Sequence, residues 1–274
     1  MTTATVNVPA PRAASRPFKR ILSIARAEVS LFLRNRTVMI TGLLMAPLMA
    51  LAYAPMIKTP DSPVSFATLL VKMLITWGIV FAVYYNLTVI YVTRREDGVF
   101  HRMDTGEATK WETLFAASIP SMVVVLLQVA LGLGIATVLD GRFPLRNPLL
   151  LLLALAGAAV VFAGLAVLTS AFSATTDSAQ YTSTPILLVS FFLSGMGLPI
   201  HLFPAAVQQV AAWTPLHATN DMLSAALGTH PATGAPLTFL ESFSVIGQDV
   251  ACLALWAALV WYLAPRYMRF LPRR

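Results

Sequence analysis

The chain has 274 residues, of which 57% are hydrophobic and only 11% charged, with a net charge of +7. A soluble domain averages about 25% charged residues, so this composition excludes a water-exposed globule and points to an all-α integral membrane protein. The basic balance does not point to nucleic acid, because the cations cluster beside apolar runs, where they orient a chain in a membrane.

The first fifteen residues are polar and rich in Pro and Ala, and no apolar core directly follows them, so residues 1–17 read as a cytoplasmic tail and not as a cleavable signal. Residues 18–36 follow as an amphipathic helix. Ile21, Leu22, Ala25, Val29 and Phe32 recur at helical spacing, while Lys19, Arg20, Arg26, Glu28, Arg34 and Arg36 point elsewhere. Such a helix lies in the membrane interface, either as a simple anchor or as an elbow that touches a partner.

Six apolar runs within residues 37–265 approach the roughly 20 helical residues needed to cross about 30 Å of hydrocarbon. They are Val38–Met56, Leu69–Val92, Leu114–Leu139, Leu149–Phe172, Tyr181–Ile200 and Val245–Ala264. A further apolar stretch, Leu202–Leu227, is interrupted by Pro204 and Pro215 and carries Gln208, Gln209, Asn220 and Asp221. It reads as two short helices forming an external re-entrant hairpin between spans five and six, tolerated where protein or water covers the backbone. A seventh span is the competing reading. Fifteen of the nineteen lysines and arginines lie before span one, between spans two and three, or in the tail 266–274. The positive-inside rule then puts both termini in the cytoplasm. Lys72, just inside span two, is expected to snorkel outward, and Asp249 to be water-exposed or to cap span six.

Between spans two and three lies the most informative segment, Tyr91–Met103, where Glu96 and Asp97 sit inside a basic cluster. The whole linking stretch from Thr93 to Glu112, twenty residues and far more than a turn requires, reads as a compact charged helix offered to a soluble partner. The alternative is a solvated loop helix. Along span two, Trp77, Phe81, Tyr84, Thr88 and Tyr91 follow a four-three-four-three spacing and share one helical face. Tyr84, Tyr85 and Asn86 fall within the hydrocarbon zone, where an unpartnered hydroxyl is costly, so this face looks inward. It is either a wall for an amphipathic or polycyclic cargo or ordinary helix packing, with Trp77 and Tyr91 as belt residues. Gln128 of span three is expected to bond a neighbouring helix. Span five combines Phe191, Phe192 and Met196 with small Ser and Gly residues, a soft and closely packing surface.

Several short motifs occur in a fixed order. They are Leu33-Arg34-Asn35-Arg36, then the mid-span proline of Leu44-Met45-Ala46-Pro47-Leu48, and Arg95-Glu96-Asp97-Gly98-Val99-Phe100-His101-Arg102. Trp111-Glu112-Thr113-Leu114, Ser194-Gly195 with Pro199, and Pro215-Leu216-His217-Ala218-Thr219-Asn220-Asp221 complete the series. In this order, from Phe18 onward, the chain resembles the permeases of the ABC-2 family, the membrane subunits of ATP-driven exporters, including those of drug and antibiotic efflux. It departs from their pattern in lacking a Pro before Trp111-Glu112 and an Arg after Asp221.

The resemblance implies a six-span permease with an elbow helix, a cytoplasmic coupling helix and a second permease, identical or paralogous, beside it in the cell membrane. It implies a separate ATP-binding cassette subunit that docks on Arg95, Glu96, Asp97, Gly98, Val99, Phe100, Arg102 and Met103, with Arg26 and Glu28 alongside. ATP and Mg²⁺ belong to that subunit, since this chain has no Gly-x-x-x-x-Gly-Lys-(Ser/Thr) run to wrap phosphates. It further implies a pathway lined by spans two and five, through Trp77, Phe81, Tyr84, Thr88, Phe191, Phe192 and Met196, which moves a hydrophobic drug, antibiotic or lipid outward. Polysaccharide or glycolipid export and an ion-coupled carrier are the alternatives. An enzyme is not expected. The histidines are scattered, Cys252 is the single cysteine, and no metal or nucleophile motif occurs.

Overall fold

The computed structural model describes residues 17–57, 64–99 and 110–268. Within them the chain is helical, and its only β feature is an isolated bridge between Thr229 and Pro236. In chain order the helices are α1 (Pro17–Arg34), α2 (Arg36–Ile57), α3 (Phe66–Glu96), α4 (Lys110–Asp140), α5 (Pro148–Phe172), α6 (Thr176–Leu193), α7 (Ala205–Ala211), α8 (Pro215–Ala226), α9 (Glu241–Ser244) and α10 (Gly247–Tyr267). Four of them, α3, α4, α5 and α10, are long and apolar enough to cross a membrane. The segments Arg26–Arg34 and Met39–Tyr53, bent by 72°, make up to a fifth. Leu126, Leu131 and Val138 of α4 and Leu255 of α10 are more than half exposed, as lipid-facing residues are.

The central helix is α3. Of its most apolar window 78% is buried, against 28% for α10, and α2, α4, α5, α6 and α8 all pack on it. Its N-terminus is capped by Ser65, whose Oγ accepts from Thr68 N and donates to Asp140 of α4 at 2.6 Å. In its middle, Ile79–Tyr85 forms a π-helical segment between α-helical halves. Such segments pack more residues into each turn and rotate everything downstream relative to an α-helical count. Small residues let the neighbours close in: a β-carbon at Gly42 would lie 2.7 Å from Asn86, and one at Gly78 only 1.9 Å from Gln128. On α5, Gly157 and Gly164 admit Leu253 and Val260 of α10 in the same way.

Span boundaries differ from expectation at α3 and α6. The helix of predicted span two runs on to Glu96, so Arg95 and Glu96 belong to it and not to a separate coupling helix; residues 100–109 lie outside the described residues. Predicted span five, Tyr181–Ile200, is instead Thr176–Leu193. A capping box of Thr175 and Ser178 starts it early, and the left-handed Gly195 (φ 75°) turns the chain just beyond its end. Its first half is rich in Ser, Thr, Asp and Gln, which is why it falls short of the apolar helices. The Leu202–Leu227 stretch forms two short helices, α7 and α8, as its prolines predict. Pro204 and Thr214 are their N-caps, and Pro215 sits in the first turn of α8.

Candidate functional site: a three-way clasp and an aromatic cluster

At the end of the bundle that carries α1, three consecutive residues of α3 reach three different helices. Successive residues of an α-helix point about 100° apart, so Arg94, Arg95 and Glu96 fan out. Arg94 pairs with Glu28 of α1 at 2.5 Å. Arg95, only 1% exposed, donates to the carbonyl of Ser170 at 2.7 Å and to that of Ser173. These carbonyls close the C-terminus of α5, where a helix has no internal donors left and its dipole favours a cation. Glu96 accepts from the backbone N–H of Thr176 at 2.8 Å and from its hydroxyl, so a carboxylate caps the N-terminus of α6. Thr93 adds a hydroxyl contact to Thr176 at 3.0 Å. The short α5–α6 connection is thus held from both sides by one turn of α3.

The structure places the expected coupling residues in different surroundings. Arg95 is buried and committed to α5, and Glu28 is 7% exposed and committed to Arg94, so neither side chain lies open to a partner. Burial pushes the Glu28 carboxyl above the ordinary glutamate range, with the Arg94 guanidinium drawing it partway back. Glu96 and Asp97 are exposed, Gly98 turns the chain with φ 67°, and Val99 is half-buried beside it. Arg26 is exposed on α1. Phe100, Arg102 and Met103 lie outside the described residues.

Of the predicted stripe, the first half meets span five. Trp77 and Phe81 stack at 5.7 Å, Trp77 lies 5.5 Å from Phe191, and Phe191 meets Phe192 edge-on at 5.1 Å. Tyr53 of α2 closes the group at 5.3 Å from Phe191, distances at which aromatic pairs attract. Trp77 Nε1 is buried with no hydrogen-bond partner among the described residues. Tyr84 and Thr88 stand apart from this cluster. Near the end of the π segment, Tyr84 faces α5: its hydroxyl lies 3.1 Å from that of Thr169 and its ring packs on Phe162. Thr88 donates to the carbonyl of Tyr84, and Tyr91 donates to that of Leu114 on α4. Met196 is buried in the turn after α6, its N–H accepted by Ser194.

Polar groups inside the bundle bond helix to helix. Gln128 donates to the carbonyl of Gly42 at 3.0 Å, and Thr41 donates to Asn86 at 2.7 Å. At the far end Asn220 of α8 donates to the carbonyl of Ser194, so the last two sequence motifs meet. His217 and Asp221 pair at 3.4 Å, and Lys72 of α3 is half-buried. Asp249 is buried at 6% exposure, so it is not solvated, and it lies in the first turn of α10, which packs on α8. Among the described residues no cluster of three or more His, Cys, Asp or Glu could hold a metal.

Arg94, Thr176 and Tyr53 went unpredicted. Thr176 carries only the common signal of a Thr before an apolar run, while Tyr53 shares a four-three spacing with Ala46 and Ala50, both fully buried.

The model of the ABC-2 type transporter family matches residues 19–227 of the chain. The chain belongs to the ABC-2 type transporter family. The match runs from α1 to the end of α8, so the clasp and the aromatic cluster both lie within the ABC-2 domain, while α10 follows it. ABC-2 permease domains work with ABC ATPases, and the chain is accordingly a multi-pass membrane protein of ABC-type transport. No curated protein matches it.

Proposed function

We propose that this chain is the permease subunit of an ABC exporter, moving a hydrophobic or amphipathic cargo such as a drug, antibiotic or lipid outward across the cell membrane. In this reading ATP hydrolysis occurs in a separate cassette subunit that docks beyond Glu96, on the segment holding Asp97, Gly98, Val99, Phe100, Arg102 and Met103. Arg26 of α1 lies alongside. A second permease completes the pathway. The six crossings are α2, α3, α4, α5, α6 and α10, with both termini cytoplasmic by their excess of arginine and lysine.

The observation that carries this reading is the clasp. A displacement of the segment after Gly98 reaches Glu96, and Glu96 holds the first turn of α6. The other end of α6 carries Phe191 and Phe192, which belong to the aromatic cluster. One helix, α6, therefore links the proposed docking segment to the proposed cargo surface. The cluster suits an apolar or aromatic cargo with a hydrogen-bond acceptor, which the indole N–H of Trp77 can meet. Exposed apolar residues occur on α2 (Leu44, Leu48 and Leu51) and α6 (Leu188 and Val189), and would serve to meet lipid or the second permease.

The decisive experiment is purification of the tagged chain from its native membrane in gentle detergent, assayed for bound ATPase activity. An associated ATPase, stimulated by hydrophobic compounds, supports the exporter. A chain recovered without ATPase in several detergents would return the ion-coupled carrier to first place.

A further inference from the structure

We infer that the cavity at the end of α3 opposite the clasp is a binding site for a phosphate group, either free or carried by a lipid headgroup. The cavity has a volume of about 270 Å³. That is a little below the roughly 300–1,000 Å³ of clefts that enclose drug-sized ligands, so it suits a headgroup-sized molecule. Its walls come from three connections: the N-cap of α3, the α4–α5 link and the segment after α8. Between Trp111 and Pro265 the chain has two residues of permanent positive charge, Arg142 and Arg146, and both line this cavity.

Hydrogen bonds fix the backbone around them. Arg146 N and Asn147 N donate to the carbonyl of Ala226 at 3.0 and 2.9 Å, and Leu237 N donates to that of Gly228 at 2.9 Å. Gly228 is left-handed, with φ 79°, and a β-carbon there would lie 2.4 Å from Cγ of Arg146. The stem of Arg146 is therefore seated on a position that only glycine fills without strain. Asp140 also lines the cavity, its carboxylate accepting from Ser65 Oγ at 2.6 Å. Neither Arg142 nor Arg146 has an ion pair or a side-chain hydrogen bond among the described residues. Two guanidiniums against one carboxylate leave a positive surplus, which favours an anion. Each guanidinium is a planar fork of donors that matches phosphate oxygens. A tetrahedral phosphate presents its oxygens in several directions, so both forks can engage it. The two oxygens of a carboxylate lie in one plane and are filled by a single fork. The face of the membrane on which this happens rests on the orientation proposed above; the recognition does not.

The test is thermal unfolding of the purified full chain in detergent, titrated at constant ionic strength with glycerol phosphate or acetate. Parallel titrations in mixed micelles use phosphatidylglycerol and a diacylglycerol of identical chains. A ligand of the folded state raises Tm as its concentration rises. Phosphatidylglycerol, glycerol phosphate or both should raise Tm, while acetate and diacylglycerol should not. A shift with the lipid alone assigns the site to a headgroup, and one with glycerol phosphate alone assigns it to a soluble phosphate ester. A shift with both means that the phosphate is recognised without its chains. Arg142→Gln and Arg146→Gln should each weaken binding about tenfold, the loss expected for a charge-assisted hydrogen bond, and together they should abolish it. Arg26→Gln, at the other end of the bundle, should leave it unchanged. No shift with either phosphate, an equal shift with acetate or diacylglycerol, or undiminished binding by the double variant overturns the proposal. No ATPase or transport is involved, so this result and the fate of the exporter reading are separable.

Discussion

The two halves of α3, on either side of its π segment, are held by different forces. Up to Phe81, early in that segment, the helix meets α2 and α6 through rings: Trp77, Phe81, Tyr53 and Phe191 touch without a hydrogen bond among them. After Tyr85 nearly every polar side chain is committed, from Asn86 with Thr41 to Arg95 with Ser170 and Glu96 with Thr176. Ring contacts are non-directional and re-form after a slide, whereas buried hydrogen bonds hold one geometry and are costly to break. One helix thus joins a surface whose contacts can re-form to a frame held in one geometry. The π segment marks the change, consistent with the frequent occurrence of such segments at functional places.

The largest effect should come from the frame. Arg95→Ala removes a guanidinium from two buried carbonyls at the end of α5 and should cost roughly 3–5 kcal/mol. The expected result is a collapse in monodisperse yield and in Tm after detergent extraction, with Arg95→Lys recovering a part. Wild-type stability in Arg95→Ala would mean that the carbonyls find other donors and that the frame is not held here. Glu96→Gln comes next. It weakens the α6 cap by about 1 kcal/mol and leaves the protein inserted, but partner ATPase activity should no longer be matched by export. Because Glu96 and Thr176 act as one contact, Glu96→Gln and Thr176→Val should be non-additive in a double-mutant cycle. Additive losses would separate the cap from coupling.

The two halves should also part under conservative ring substitutions. Tyr84→Phe deletes the hydroxyl that meets Thr169 and should lower stability by about 1 kcal/mol, equally for every cargo. Trp77→Phe keeps a ring in the cluster and removes only an unpartnered N–H, so its effect should fall on the rank order of cargoes that stimulate the ATPase. If Tyr84→Phe changes cargo preference as strongly as Trp77→Phe, the division at the π segment is wrong.

What the sequence made legible follows from where the signal lies. Apolar runs, the prolines of α7 and α8, and the amphipathic α1 are local patterns, and the chain forms helices at each. The stripe through Trp77, Phe81, Tyr84 and Thr88 was counted at α-helical spacing; a π segment leaves no mark in composition, so the break after Phe81 could not be read. Arg95 and Glu96 were legible as unusual, but not their partners. Ser170, Ser173 and Thr176 are common residue types some 75–80 positions away, and only the packing of α3 against the α5–α6 turn brings them together. Asp249 was legible as a residue of the first turn of α10, but its burial was not, since the packing of other helices on α10 leaves no local mark.

The smallest expected effect concerns how α1 is attached to the frame. Burial raises the Glu28 carboxyl above the ordinary glutamate range, more than the Arg94 charge lowers it. A raised native-state value means that the folded protein binds more protons than the unfolded chain between the ordinary range and the raised one. Through that window, stability contributed by this group rises as pH falls, and it is lost again as pH rises through the native value. Below the ordinary glutamate range both states are protonated and the contribution is constant. Glu28→Gln cannot titrate, so the difference in Tm between wild type and Glu28→Gln should shift in favour of the wild type as pH is lowered through the window. A difference that moves the other way would place the Arg94 charge above burial as the dominant influence. It would then make the α1–α3 contact an ion pair that favours the charged carboxylate, and α1 would be loosened, not tightened, by acid.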